Sequence, residues 1–250
     1  MPYPGEMKGY DATTYGDRIA DIYDEHYEGM LDTESTVELL AQLAGKGPVL
    51  ELAIGTGRVA LPLAERGIEV HGIDASESMI ERLRAKEGGD RITVTMGDFA
   101  DVGVEGRFSL VYVVFNSLFA LTSQDEQVRC FRNVAEHLED DGHFVVEVFV
   151  PDVTRFDQGQ RVSVDRVDVD RVVLETSLHD PVGQRVVTQI IMIGESGNRM
   201  VPVHIRYAWP SELDLMARLA GLRLKNRWSG WRREYFTAES VRHVSVYEKV

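Results

Sequence analysis

The chain has a single cysteine, Cys130, among 250 residues, so no intrachain disulfide can form. It falls in a helix-periodic stretch over 127–138, where it reads as a small core residue. The seven histidines are scattered, no Cys/His group has metal-ligand spacing, and no metal site is expected. Apolar runs are short. None reaches the roughly 18 residues of a membrane helix, and no basic-then-apolar leader opens the chain. These absences predict a soluble cytoplasmic protein with no membrane partner. Basic residues are also scarce: 27 Lys and Arg stand against 41 Asp and Glu, a net charge of −14. A field of that sign disfavours nucleic-acid backbones and suits small-molecule partners. The two basic clusters, Arg223–Arg227 and Trp231-Arg232-Arg233, read as solvated faces.

What is present is alternation. Strand patterns over 48–53, 68–73, 91–96, 109–115 and 143–149 alternate with helix patterns over 58–66, 76–86 and 124–138. That order predicts a parallel sheet covered by helices on both faces. Ahead of it, 1–9 reads as loose chain, 16–30 as one tyrosine-rich helix, and 36–43 as a helix stopped by Gly45 and Gly47-Pro48. After Pro151 the helical period disappears. Residues 160–207 are rich in β-branched side chains, broken at 180–183 and 195–198, which predicts an antiparallel meander. Its exposed edges would permit a homo-oligomer. A helix over 211–220, ended by Gly221, precedes two closing strands over 222–228 and 241–249.

The chemistry-bearing motif is Val49-Leu-Glu-Leu-Ala-Ile-Gly-Thr-Gly-Arg58, an apolar strand that carries Glu51 and turns through Gly55 and Gly57 into a helix. A second apolar run then ends in Asp74. Glycines let the backbone approach a nucleoside, and an acid closing the next strand accepts from ribose hydroxyls. Gly55-x-Gly57-x-x-Ala60 also satisfies the looser dinucleotide pattern. A nicotinamide-dependent oxidoreductase is therefore a rival reading, although no Tyr-x-x-x-Lys is present.

Taken in order, Glu51 before the glycines, Asp74-Ala75-Ser76 leading to Met79, Gly97-Asp98-Phe99, and Phe115-Asn116 after the fourth strand resemble class I S-adenosylmethionine-dependent methyltransferases. The likeness is closest over about 47–150. It implies a Rossmann-like α/β fold: a seven-stranded, mostly parallel sheet with an antiparallel β insertion and an N-terminal helical lid. The expected division is 1–46 lid, 47–150 cofactor core, 151–207 insertion serving as substrate cover or dimer contact, and 208–250 the rest of the sheet. The cofactor implied is S-adenosylmethionine, with S-adenosylhomocysteine as product. Ala53, Gly55 and Gly57 would meet its methionine part, Asp74 the ribose, Ala75 and Met79 the adenine faces, and Asp98 with Phe99 the adenine edge. Phe115 and Asn116 would lie by the sulfonium, and Arg58 would help hold the carboxylate. The family has glycine where this chain has Ala53, and a methyl is tolerated there if φ stays negative.

The lid and insertion resemble those of small-molecule N-methyltransferases, including enzymes for amino sugars. That implies an amine acceptor on a sugar or natural-product intermediate, with Tyr15 and Tyr23 touching cofactor or substrate. A hydroxyl acceptor is the alternative, and would need a base; Glu147, His179 and His204 are the candidates. A cofactor-binding regulator without turnover is a further alternative. Trp228 and Trp231 read first as an anchor for the last hairpin.

Overall fold

Val49–Leu52 is buried at every position, as a strand is when neighbours flank it on both sides and helices cover both faces. The computed structural model describes residues 7–195 and 197–250. The first six residues of the expected loose start, and Ser196 in the expected turn at 195–198, lie outside the described residues.

Five core strands come first: β1 (Val49–Leu52), β2 (Val70–Asp74), β3 (Thr93–Met96), β4 (Phe108–Val113) and β5 (Leu138–Phe149). The meander follows as β6 (Gln160–Val167), β7 (Arg171–Asp180), β8 (Arg185–Gly194) and β9 (Gly197–Arg206). The chain then returns through β10 (Leu222–Trp228) and β11 (Arg242–Lys249). The main sheet has the order β10-β11-β5-β4-β1-β2-β3, and the meander forms a separate four-stranded sheet in sequence order. The first five strands pair in parallel, while β11 is antiparallel to β5 and β10 to β11. The chain runs outward from β1 through β2 and β3, then crosses back to β4 on the other side. The strand order reverses between β1 and β4, and a ligand crevice opens beyond the carboxyl ends of the strands at such a point.

Among the described residues the α-helices are α1 (Thr14–Ile19), α2 (Tyr23–His26), α3 (Thr33–Ala44), α4 (Ala60–Glu65), α5 (Glu77–Arg84), α6 (Gln124–His137) and α7 (Pro210–Leu219). Their ends are chemically marked. Ser123 and Glu126 form a reciprocal capping box on α6, Ser76 caps α5, and Asp32 caps α3, which starts three residues ahead of the expected 36. The single helix expected over 16–30 is two short ones, broken at Ile22 (φ −121°, ψ 1°). Its acids are pulled to different partners: Asp21 pairs with Arg199 of the meander at 2.8 Å, and Asp24 with Lys86 of the core at 2.6 Å. β5 starts at Leu138 rather than 143, because the 138–142 segment stays on the sheet beside Phe108 through an irregular register.

Two apolar clusters hold the faces of the main sheet, one including Phe131, Phe144 and Tyr247, the other Leu40, Leu63 and Tyr112. Cys130 is buried in the first, and Trp231 packs in the second with Trp228 against it. A third cluster joins Ile19 of α1, Met79 of α5, and Val173 and Ile190 of the meander. The basic clusters are largely neutralised: Arg227 pairs with Asp214 at 2.6 Å, Arg223 and Lys225 with Glu248, and Arg232 with Asp32.

Candidate active site

Three residues of the turn after β1 have left-handed backbones: Ala53 (φ 56°), Gly55 (φ 57°) and Gly57 (φ 78°). Ala53 therefore departs from the negative φ its methyl would prefer, and takes the conformation glycine adopts freely, at a cost of about 1–2 kcal/mol. The turn is fixed from below. Asp74 Oδ2 accepts from the Gly55 amide at 2.8 Å, and Oδ1 from the Ser76 amide at 2.9 Å. Burial raises the Asp74 pKa above the ordinary carboxylate value. The two glycines do different work. A Cβ on Gly55 would meet nothing within 4 Å, so its face is open to a ligand; one on Gly57 would meet Leu83 at 2.9 Å. Glu51, 3% exposed, lies beneath the turn, and the Tyr112 hydroxyl donates to it at 2.9 Å. Burial pushes its pKa up to about 8.

A second strained turn follows β4, where Phe115 (φ 55°) and Asn116 (φ 65°) are consecutive left-handed residues. β5 holds them in place. The Phe115 amide donates to Glu147 Oε2 at 2.8 Å, the Asn116 amide to the Glu147 carbonyl at 3.1 Å, and the Phe149 amide to Asn116 Oδ1 at 2.7 Å. Strain of this kind persists where the surroundings over-determine it, and gathers at ligand sites.

Between these turns, the N-terminal helices and the meander is a cavity of about 990 Å³, at the top of the about 300–1,000 Å³ range of ligand pockets. The N-terminal helices are tied to both sides of it. Asp17 and Asp24 accept from Ser76 and Thr56 of the core, each at 2.6 Å, while Asp21 and Glu25 pair with Arg199 and Arg171 of the meander. Tyr15, Tyr23 and Tyr27 project into the cavity. Tyr15 and Tyr27 share a hydroxyl–hydroxyl bond of 2.8 Å, and the Tyr27 ring stands edge-on to Phe115 at 4.8 Å. Burial pushes the Tyr15 and Tyr23 hydroxyls well above 10, so both stay neutral at physiological pH.

Of the residues singled out in the sequence, Ala53, Gly55, Asp74, Ala75, Met79, Asp98, Phe99, Phe115 and Asn116 line this cavity, as do Tyr15, Tyr23 and His204. The His204 ring lies against that of Tyr10 at 5.7 Å. Glu51, Gly57, Arg58 and Glu147 are not among the lining residues. Arg58 donates to Thr33 at 2.9 Å and lies 5.9 Å from the centre of the Phe115 ring. Glu147 is turned under the Phe115 turn. His179 is bonded to the Tyr207 hydroxyl and stacked on Phe156, behind the wall. The sequence reading missed Glu175, Arg155 and Tyr207, which all line the cavity. A signal existed for Glu175, since Val173, Glu175, Ser177 and His179 alternate along β7. Among the described residues, no group of three or more His, Cys, Asp or Glu could hold a metal ion, and no helix is long and apolar enough to cross a membrane.

A methyltransferase-domain family model matches residues 49–142. The CcbJ methyltransferase from Streptomyces caelestis superposes with a TM-score of 0.91 and 43% identity, over 96% of this chain and all of that one. The chain belongs to the class I S-adenosylmethionine-dependent methyltransferases. A cypemycin N-terminal methyltransferase from a Streptomyces species is 29% identical over 204 residues, 80% of this chain and 82% of that protein. The amino pentose methyltransferase CalS10 from Micromonospora echinaspora, solved with S-adenosylmethionine, shares the fold at 18% identity and a TM-score of 0.69, over 92% of this chain and 97% of its own. The methyl donor of this methyltransferase is S-adenosylmethionine. The residues present suit it: Gly55 leaves open space, and the Asp74 carboxylate lines the cavity with acceptor capacity left for a hydroxyl donor beyond its backbone amides.

Proposed function

We propose that this methyltransferase acts on an amine nitrogen of a small molecule, a sugar or a natural-product intermediate. The observation that carries the reading is the make-up of the cavity around the Phe115–Asn116 turn. It is walled by neutral tyrosines, and the strand carboxylate Glu147 is not among its lining residues. An amine acceptor needs only a free lone pair, whereas a hydroxyl needs a base. The N-terminal methyltransferase of cypemycin and the amino pentose methyltransferase named above support the same acceptor class.

In this reading Asp74 takes the ribose hydroxyls. Asp98 and Phe99 meet the adenine edge, with Ala75 and Met79 on its faces. The backbone at Ala53 and Gly55 faces the methionine part. Gly57 and Glu51 act one layer below, keeping the turn closed on α5 and β4, and Arg58 holds the lid through Thr33. The bound donor supplies an electrophilic methyl on a sulfonium. Tyr15, Tyr23 and Tyr27, with Phe115, face the positive charge that passes to the acceptor with ring faces and hydroxyl oxygens, and offer no competing nucleophile. Alignment accounts for most of the rate, since effective molarities reach about 10⁵–10⁸ M in well-oriented systems. The division of labour we assign is 1–46 as lid, 47–150 as cofactor core, 151–207 as acceptor cover and 208–250 as the remainder of the sheet.

Two observations favour the hydroxyl alternative, namely that His204 and the Glu175 carboxylate line the cavity. Mass spectrometry of products from matched amines and alcohols, incubated with methyl-deuterated donor, separates the two. Label on nitrogen is the expected result, and label on oxygen alone overturns the amine reading.

A further inference from the structure

Among the described residues, six acidic side chains line the cavity. Five are engaged with their own surroundings. Asp11 accepts from the Thr13 amide, Asp74 from Gly55 and Ser76, Asp98 from Ala100, Glu126 from Ser123, and Asp152 from Thr154. The sixth is Glu175. Among the described residues it has no hydrogen bond and no ion pair, and it is half-buried. It stands on β7 with Val173 and Ser177 on the same face; Val173 packs against the lid, and Ser177 lines the cavity. Its cross-strand partner is Ile190, and Ser177 faces Thr188. A carboxylate half-withdrawn from water beside apolar groups is under-solvated, and a cationic donor best restores what it has lost.

Its position relative to the reacting groups is also set. Burial foremost, and then the charge of Glu175, push the Tyr27 hydroxyl pKa up. The Tyr27 ring meets Phe115 at 4.8 Å. Glu175, Tyr27 and Phe115 all line the one cavity, which reaches from the meander to the turn we place beside the methyl donor. We propose that Glu175 anchors the acceptor's ammonium group in the cavity, selecting cationic small molecules over neutral ones, and takes one ammonium proton onto its carboxylate to free the lone pair that attacks the methyl. This rests on the amine reading above, and names the residue that enforces it. Arg155, the arginine lining the cavity, is within electrostatic reach of Glu175 and lies 5.5 Å from the Phe156 ring centre. If Glu175 served only as its countercharge, removing either residue would have the same effect.

The test uses the full chain saturated with S-adenosylhomocysteine. Binding of cyclohexylamine is compared with cyclohexanol, and the methyl glycoside of an aminodeoxy sugar with its parent glycoside, by ligand-observed NMR. Wild type is expected to favour each amine by about tenfold or more, which is about 1.4 kcal/mol. Glu175→Gln and Glu175→Ala should bind amine and alcohol alike while S-adenosylhomocysteine affinity is unchanged. Glu175→Asp and Arg155→Gln should keep the preference. A wild type without any amine preference overturns the anchor, whereas label on oxygen alone in the product test above overturns the amine reading. A wild-type preference that survives in Glu175→Gln overturns the anchor alone, as does equal loss in Arg155→Gln. Loss of S-adenosylhomocysteine binding in both the Gln and Ala variants would mark Glu175 as structural, and also overturns it.

Discussion

The Ser76 hydroxyl donates to the Asp17 carboxylate at 2.6 Å, joining the lid to the cap of α5 directly after the Asp74 strand end. The neighbouring Gly16 makes the approach possible. A Cβ there would stand 2.5 Å from Ser76 Cβ and 2.7 Å from its Oγ. Gly16→Ala must therefore push the lid off the cavity, with a packing cost of about 1–3 kcal/mol. We expect S-adenosylmethionine binding to weaken about tenfold or more in calorimetry, while the core retains its fold by circular dichroism. Unchanged affinity would mean that the lid does not close on the cofactor.

Glu147 separates a positioning role from a catalytic one. Its Oε2 accepts from the Phe115 amide. Glu147→Gln keeps an acceptor oxygen and should leave the pH profile of methyl transfer unchanged, with rates within about threefold, less than 1 kcal/mol of barrier. Glu147→Ala leaves that amide unpaired. It should lower unfolding free energy by about 1–3 kcal/mol and reduce kcat along with it. A normally stable but inactive Gln variant would restore Glu147 as a base.

Ala53 carries a strain that glycine would remove. At φ 56° the methyl costs about 1–2 kcal/mol, against about 0.4–1 kcal/mol for the extra freedom glycine brings to the unfolded chain. Ala53→Gly should therefore raise stability slightly, by up to about 1.6 kcal/mol in urea titration. A clear loss would show that the methyl makes a packing contribution larger than its strain.

What the sequence disclosed follows from where residue type is physically forced. Gly55 and Asp74 were legible because a backbone open to a ligand at positive φ, and a carboxylate at a strand end, each need a particular side chain. The closing strands were legible because their apolar alternation ends at turn residues. Ala53 was not, since nothing local marks an alanine as left-handed. Glu147 and Glu175 both sit in alternating strands, and alternation tells which residues share a face but not which face meets the cavity. For Glu147 that depends on packing under the Phe115 turn, and for Glu175 on how the meander folds over the lid. The break at Ile22 was hidden for a similar reason, because it follows from partners at Lys86 and Arg199, far along the chain.

Glu51 makes stability depend on pH. Its pKa is raised from 4.5 to about 8 by burial. Below about pH 4.5 both the folded and unfolded chains hold the proton, and the group has no effect. Between there and about pH 8 the unfolded chain releases it and the folded chain keeps it. Stability therefore falls as pH rises, by about 1.4 kcal/mol per unit, and the loss is complete above the folded pKa. Glu51→Gln should match wild type near pH 4.5 and exceed it by a margin that grows towards pH 8, followed by urea unfolding. A margin that does not change with pH would contradict a protonated Glu51 in the folded state.

The central claim is that the Asp74 carboxylate, braced by the Gly55 and Ser76 amides, holds the ribose of the methyl donor. Calorimetric titration of wild type and Asp74→Asn with S-adenosylmethionine tests it most directly, with circular dichroism to confirm that the variant is folded. The asparagine keeps the shape of the side chain but loses one acceptor oxygen and the charge. The account predicts binding in wild type and at least about a tenfold loss in the variant, the 1.4 kcal/mol or more expected of hydrogen bonds to a charged group. Equal affinity in a folded Asp74→Asn would contradict it, and would move the ribose site elsewhere in the cavity.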